Sequence, residues 1–268
     1  LVILLSQSGE TADTIAALRH AKANGIATLA IVNVIGSSIA READHVIYTM
    51  AGPEIAVAST KAYSVQCALM SLLAINLAVR EGKLDKNEAK RLSGLFIEEI
   101  PEAVSKVLNM SDNLREIAKN YTDTEHLFYI GRGIDCDICT EGSLKLKEIS
   151  YIHSEAYAAG ELKHGTISLI ENGTPVIAVA GESKIFSKTL SNICEVEARG
   201  GTVIVITDKA KQSLVSANRT VITVPDICSY FRPSLLVLPL QLLSYYTALL
   251  RGCDIDKPKN LAKSVTVE

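Results

Sequence analysis

Three clusters in the 268-residue chain combine residue types able to hold or transform a small polar molecule. The first, Ser6-Gln7-Ser8-Gly9-Glu10-Thr11, crowds three hydroxyls, an amide and a glycine into six positions. Hydroxyl donors, a glycine that lets the backbone turn closely, and the free N–H groups of a following helix suit a phosphate without Lys or Arg. A helix cap is the plainer reading, since Ser and Thr are favoured there. The second cluster runs over residues 141–165. On a helix, Lys145 shares a face with Glu141, four residues before it, and with Glu148, three residues after it. Leu144, Leu146, Ile149 and Ile152 leave little exposed surface around them, so a partly buried carboxyl beside an amine is a candidate acid or base. The alternative is a solvated ladder of ion pairs. His153 reads as a core histidine, whereas His164, in a loop between Lys163 and Gly165, has an imidazole suited to proton exchange near neutral pH. The third cluster is the polar C-terminus, residues 260–268, where composition alone leaves Lys263 to solvent.

Other features narrow the chemistry. Gly131-Arg132-Gly133 begins like a dinucleotide fingerprint, but Cys136 stands where the third glycine belongs and no acidic residue ends the next strand near Val179, which argues against a nicotinamide cofactor. Cys136 and Cys139 have the spacing of a redox pair, without the second pair of cysteines that a zinc site needs, so neither cofactor nor metal is expected. Cys67, Cys194, Cys228 and Cys253 sit alone in apolar or helical patterns, as reduced, buried thiols of a cytoplasmic protein do. A formal net charge of -3 disfavours nucleic acid as a partner, and 48% hydrophobic with 21% charged residues describes an ordinary globular chain. Residues 62–79 and 234–250 are apolar enough to raise the question of a membrane. Both carry polar side chains, among them Gln66, Asn76 and Gln241, and are expected to be fully buried helices instead.

These residues need elements to position them, and the elements repeat. Residues 2–5 read as a buried strand, 10–24 as a helix with Ile15, Leu18 and Ala21 on one face, 28–32 and 44–49 as strands, and 57–81 as an apolar helix. The same order returns as strand 176–180, helix 183–199, strands 202–207 and 219–224, and an apolar helix from about 233 to 251. Gly9-Glu10-Thr11 matches Gly181-Glu182-Ser183, and Gly25 matches Gly200. A further strand, 126–130, and helix, 136–151, precede the second copy, so equivalence of the copies predicts about 40 to 50 residues with a strand, a loop and a helix ahead of Leu1. With no initiator Met, basic segment or cleavage site, the chain does not open as a secreted precursor would. The expected fold class is α/β: two doubly wound parallel-sheet subdomains related by internal duplication, at residues 1–82 and 122–254. A helical connector, 83–121, is expected to break near Pro101, and a tail follows at 255–268. Ligands in such folds bind beyond the carboxyl ends of the strands.

Ser6 to Thr11, Val57-Ala58-Ser59-Thr60-Lys61-Ala62, residues 144–165 and the terminal residues 261–268 together resemble the isomerase half of the glucosamine-6-phosphate synthases, the glutamine:fructose-6-phosphate aminotransferases. The similarity covers essentially the whole chain and implies two sugar isomerase (SIS) domains. By that resemblance Ser6, Gln7, Ser8 and Thr11 hold the phosphate of fructose 6-phosphate, and Val57, Ser59 and Ala262 lie around the sugar. Glu148 is implied as the base that moves a proton between C1 and C2, assisted by Lys145. His164 is implied to open the sugar ring from the neighbouring subunit of a homodimer, and Lys263 to engage the C2 carbonyl. The family joins this half to a glutaminase domain. A non-catalytic sugar-phosphate sensor and a related phosphosugar deglycase or isomerase are the other readings that SIS domains allow.

Overall fold

The computed structural model describes residues 1–214 and 219–263. The last five residues of the expected tail, 264–268, lie outside the described residues. The chain divides into two compact units, Leu1–Arg80 with Asp256–Glu268, and Glu81–Ile255.

The first unit runs β1 (Val2–Ser6), α1 (Ala12–Ala23), β2 (Thr28–Val32), α2 (Ser38–Glu42), β3 (His45–Tyr48) and α3 (Lys61–Arg80). Its strands pair in the order β1-β2-β3, all parallel. Parallel pairing needs a crossover between neighbours, and α1 and α2 supply it. Leu4, Leu18, Ala30, Val32 and Ile39 form the core between sheet and helices.

The second unit begins with α4 (Lys86–Leu108) and α5 (Ser111–Ala118). It continues through β4 (His126–Gly131), α6 (Ile134–Ser150), β5 (His153–Ala158), β6 (Pro175–Val179), α7 (Phe186–Glu197), β7 (Thr202–Asp208), β8 (Thr220–Val224) and α8 (Arg232–Leu250). Five parallel strands lie in the order β5-β4-β6-β7-β8. Within that sheet β6-β7-β8 repeats the order of β1-β2-β3, as the duplication requires. Ile130, Val176, Ala178 and Val205 are buried with Phe186, Ile193 and Val196 of α7 over them. These strands read as continuous apolar runs because helices cover both faces of the sheet.

Two expectations need correction, and two elements, β5 and α2, were not read from the sequence. Residues 153–158, within the stretch taken as helix and loop, form β5, an edge strand that starts after Tyr151 ends α6 in a left-handed conformation (φ 62°). The short helix α2 carries no periodic signal at its length. Pro101 does not break the connector: α4 continues through it, held by Leu92 before the proline and by Ala103 and Val107 after it, all buried. Finally, the two apolar helices are not both buried. Both are long and apolar enough to cross a membrane by composition, yet 56% of the apolar window of α8 is buried and only 11% of that of α3. Helices α4, α5 and α6 pack on α8, whereas in α3 only Ala62 is buried.

Helix α8 is the brace behind the catalytic-looking helix α6. A Cβ added at Gly142 would stand 2.6 Å from Leu240 Cδ1, so the absence of a side chain there lets the two helices close on one another. Leu240 is fully buried. Leu240→Ala is expected to cost about 2–5 kcal/mol by removing transfer energy and leaving a cavity, measured as a lower midpoint in chemical denaturation.

Candidate active site

The serine-rich cluster lies where β1 leaves the sheet and turns into α1. The loop holds its own shape: Gly9 N–H donates to Ser6 Oγ (2.9 Å) and Glu10 N–H to Ser8 Oγ (3.2 Å). Gly9 has φ +68°, and a Cβ there would stand 2.6 Å from Ser37 Cβ, so only glycine fits. The carboxylate of Glu10 accepts from Ser38 N–H at 2.8 Å, which joins the loop to the start of α2, and hydrogen bonding from Ser38 holds its pKa below the ordinary value. Thr11 is the N-terminal flanking residue of α1, but its hydroxyl makes no capping bond. The capping reading therefore does not explain Thr11. Its hydroxyl, the Ser8 hydroxyl and the first N–H groups of α1 are what the loop can offer an anion.

The first unit also gathers the residues of the third cluster. Lys263 Nζ donates to the Ala56 carbonyl (2.5 Å) and to Ser59 Oγ (3.0 Å), and Val57 N–H donates to the Asp256 carbonyl (2.9 Å). Lys263 is thus half-buried and bonded to Ser59, not left to solvent as its composition suggested. Val57 is half-buried and Ala262 exposed.

In the second unit α6 carries an acid, amine, acid row. Lys145 Nζ lies 2.5 Å from Glu148 Oε2 and 3.8 Å from Glu141 Oε1, with only 6% of the lysine side chain exposed. A solvated ladder is excluded by that burial. Helical spacing puts the three on one face, which borders the buried side of the helix formed by Leu146 and Ile149. Burial raises the Glu141 carboxyl to about 7; the ammonium of Lys145 opposes this shift and the carboxylate of Glu148 adds to it. Glu141 Oε1 has no hydrogen-bond partner. The displaced carboxyl pKa thus belongs to Glu141, which the sequence reading named only as a neighbour of Lys145. Its position four residues before Lys145 was the available signal.

The expectations for His153 and for the isolated cysteines change, while His164 keeps its place in a turn. His164 is exposed, on the 3-10 turn Glu161–His164, and its Nδ1 lies 2.8 Å from Glu161 Oε2. His153 is not a core histidine; 59% of its side chain is exposed. Among the cysteines, Cys139 is buried, Cys194 exposed and the others half-buried, so the isolated four are not the buried thiols anticipated. Burial raises the thiols of Cys136 and Cys139 above the ordinary value, and Asp137 adds to the effect at Cys136. A raised thiol pKa disfavours the thiolate that redox exchange needs.

The duplication makes the turns after β1 and β6 comparable. In the second unit the N–H groups of Gly181 and Glu182, counterparts of Gly9 and Glu10, both donate to Asp135 Oδ2 at 2.8 Å. Asp135 is 1% exposed, and burial raises its pKa to about 6. Where the first copy presents neutral hydroxyls that can rotate toward an anion, the second has a fixed carboxyl group that, when ionised, repels one.

Parallel sheets, a hydroxyl-lined turn after β1 and an acid–amine row on a helix define an α/β protein with a candidate site for a small polar molecule. The chain belongs to the SIS domain family, which matches residues 1–76 and 120–251. It is 51% identical over 268 residues to a glutamine–fructose-6-phosphate aminotransferase (isomerizing) of Caldanaerobacter subterraneus subsp. tengcongensis, covering all of this chain and 44% of that protein. A protein of the same name from Clostridium tetani is 53% identical with the same coverage. Among solved structures, the C-terminal domain of glucosamine-fructose-6-phosphate aminotransferase from Francisella tularensis superposes with a TM-score of 0.92 at 39% identity, covering 96% of this chain and 72% of that one. Ser6, Gln7, Ser8, Thr11, Val57, Ser59, Ala262 and Lys263 belong to the first unit, and Lys145, Glu148 and His164 to the second.

Two outcomes follow from this geometry. Thr11→Ala is expected to change thermal stability by less than about 0.5 kcal/mol, against about 1 kcal/mol for a lost cap, while weakening phosphate binding in a calorimetric titration. Glu141, with a folded pKa of about 7 against an ordinary 4.5, takes up a proton on folding. Its contribution to stability is complete below pH 4.5 and is lost as the pH rises to about 7. Glu141→Gln should flatten the pH dependence of unfolding in that window.

Proposed function

We propose that the chain is the isomerase half of a glutamine–fructose-6-phosphate aminotransferase, converting fructose 6-phosphate and ammonia to glucosamine 6-phosphate. The observation that carries this reading is the buried Lys145–Glu148 pair at 2.5 Å, with Glu141 beside it. A sensor of sugar phosphates would need the hydroxyl-rich loop, but not an acid and amine held out of water. In this reading Ser6, Gln7, Ser8 and Thr11 hold the phosphate, and binding energy from that remote group fixes the reacting carbons. Val57, Ser59 and Ala262 line the sugar.

His164 opens the ring by moving a proton between the ring oxygen and the anomeric hydroxyl. Ammonia condenses with the C2 carbonyl and water leaves. The Glu148 carboxylate then takes a proton from C1 and returns it to C2, leaving an aldehyde at C1 and an amine at C2. Lys145, bonded to that carboxylate, balances its charge before the proton arrives. Lys263 acts ahead of the ammonia: its amine adds to the C2 carbonyl with loss of water, and ammonia then displaces it from that imine, so the lysine amine is regenerated and one water is lost overall. The protein works as a cytoplasmic homodimer in which His164 serves the neighbouring subunit. Ammonia comes from a glutaminase domain, a part that the longer relatives, of which this chain spans 44%, are named for using glutamine to supply.

Exchange of the C1 proton of fructose 6-phosphate with deuterated solvent, followed by NMR, tests the reading. Glu148→Gln is expected to slow exchange by about 10²–10⁴-fold with the sugar phosphate still bound. A native protein that binds the sugar phosphate without exchanging the proton would replace the enzyme with a sensor.

A further inference from the structure

At the amino-terminal end of the second sheet's strands, β4 and β5 each begin with a histidine. His126 and His153 are register partners across the parallel pair, and both are exposed. Their Nδ1 atoms stand 3.4 Å apart, with ring centroids at 5.4 Å and planes at 81°. Two nitrogens at about 2.1 Å from a tetrahedral zinc ion are separated by about 3.4 Å, so the pair already has the spacing of two ligands on one metal. For a neutral N–H···N hydrogen bond the same separation is long.

We propose that His126 and His153 form a two-imidazole site for a divalent transition-metal ion such as Zn²⁺. This is a site separate from the proposed sugar chemistry and independent of it. The outer nitrogen of His153, Nε2, lies 3.9 Å from Glu155 Oε1. At that distance the carboxylate makes no hydrogen bond to the ring and contributes negative charge beside the pair. Beside the pair is an open cleft of about 580 Å³ that Glu125, Glu155 and Glu171 also line, with room for waters to complete the coordination and negative charge to favour a cation. Among the described residues no group of three or more His, Cys, Asp and Glu is arranged to hold a metal, so the protein supplies two ligands and solvent the rest. Imidazole ligands with water suit Zn²⁺, Cu²⁺ and Ni²⁺ over Mg²⁺ or Ca²⁺. A bound ion would pin the first residue of the edge strand β5 to β4, just after α6 and ahead of the turn that carries His164.

Titration calorimetry of Zn²⁺ into the 268-residue protein, beside His126→Gln and His153→Gln, tests the site. One ion per chain is expected to bind, and each variant to bind at least about tenfold more weakly, since each removes one of two ligands. Both side chains are exposed, so metal-free melting temperatures of the variants should match that of the parent. Co²⁺ bound to the parent should show d–d absorption without a thiolate charge-transfer band. Absence of binding, binding that survives in either variant, or a thiolate band placing the ion on a cysteine would each overturn the proposal.

Discussion

Parallel pairing imposes a direction on the whole molecule. Every strand of both sheets runs the same way as its neighbours, so every chain segment leaves its sheet at one edge and must return across a face before the next strand can begin. Helices make that return, and their N-termini gather at the edge where the strands end. The Ser6 to Thr11 loop, the Asp135 carboxyl and the start of α6 all sit at such edges as a consequence. The same constraint buries both faces of the larger sheet, which is why its strands are apolar throughout and the polar chemistry is confined to turns and helix faces.

Burying charge is the second constraint. Lys145, Glu148 and Glu141 lie on a helix pressed against α8, where an ammonium or a carboxylate alone would cost several kcal/mol of lost hydration. The 2.5 Å contact between Lys145 and Glu148 offsets part of that cost. Glu141 lacks so close a partner, and the balance appears as a carboxyl whose pKa rises to about 7. A carboxyl moved into the neutral range, as Glu141 is, is a property of acid–base sites and an unneeded expense for a purely structural helix.

Duplication gave two copies of one βαβ design, and the copies have parted at the same two backbone N–H groups. Hydroxyls accept them in the first copy and a buried carboxyl group in the second. The change leaves one turn open to an anion and stabilises the other from within. Fold and binding capacity thus separate: the second copy keeps its register and core while its turn becomes a structural joint.

Much of this was legible in the residues themselves. Short continuous apolar runs and period-3.6 patterns located most strands and helices, the match of Gly9-Glu10-Thr11 with Gly181-Glu182-Ser183 revealed the duplication, and the spacing of Lys145 and Glu148 put them on one helix face. Those features are local, and local sterics and periodicity suffice to read them. Tertiary structure alone decided the rest. Edge strand β5 has a weak pattern because one of its sides lacks a partner, and Pro101 stays within a helix because buried residues on both sides outweigh one lost hydrogen bond. The raised pKa of Glu141 depends on how deeply α6 is covered. Lys263 meets Ser59 across more than 200 residues of chain. Desolvation and long-range contact are properties of the packed molecule, and no spacing along the chain encodes their magnitude.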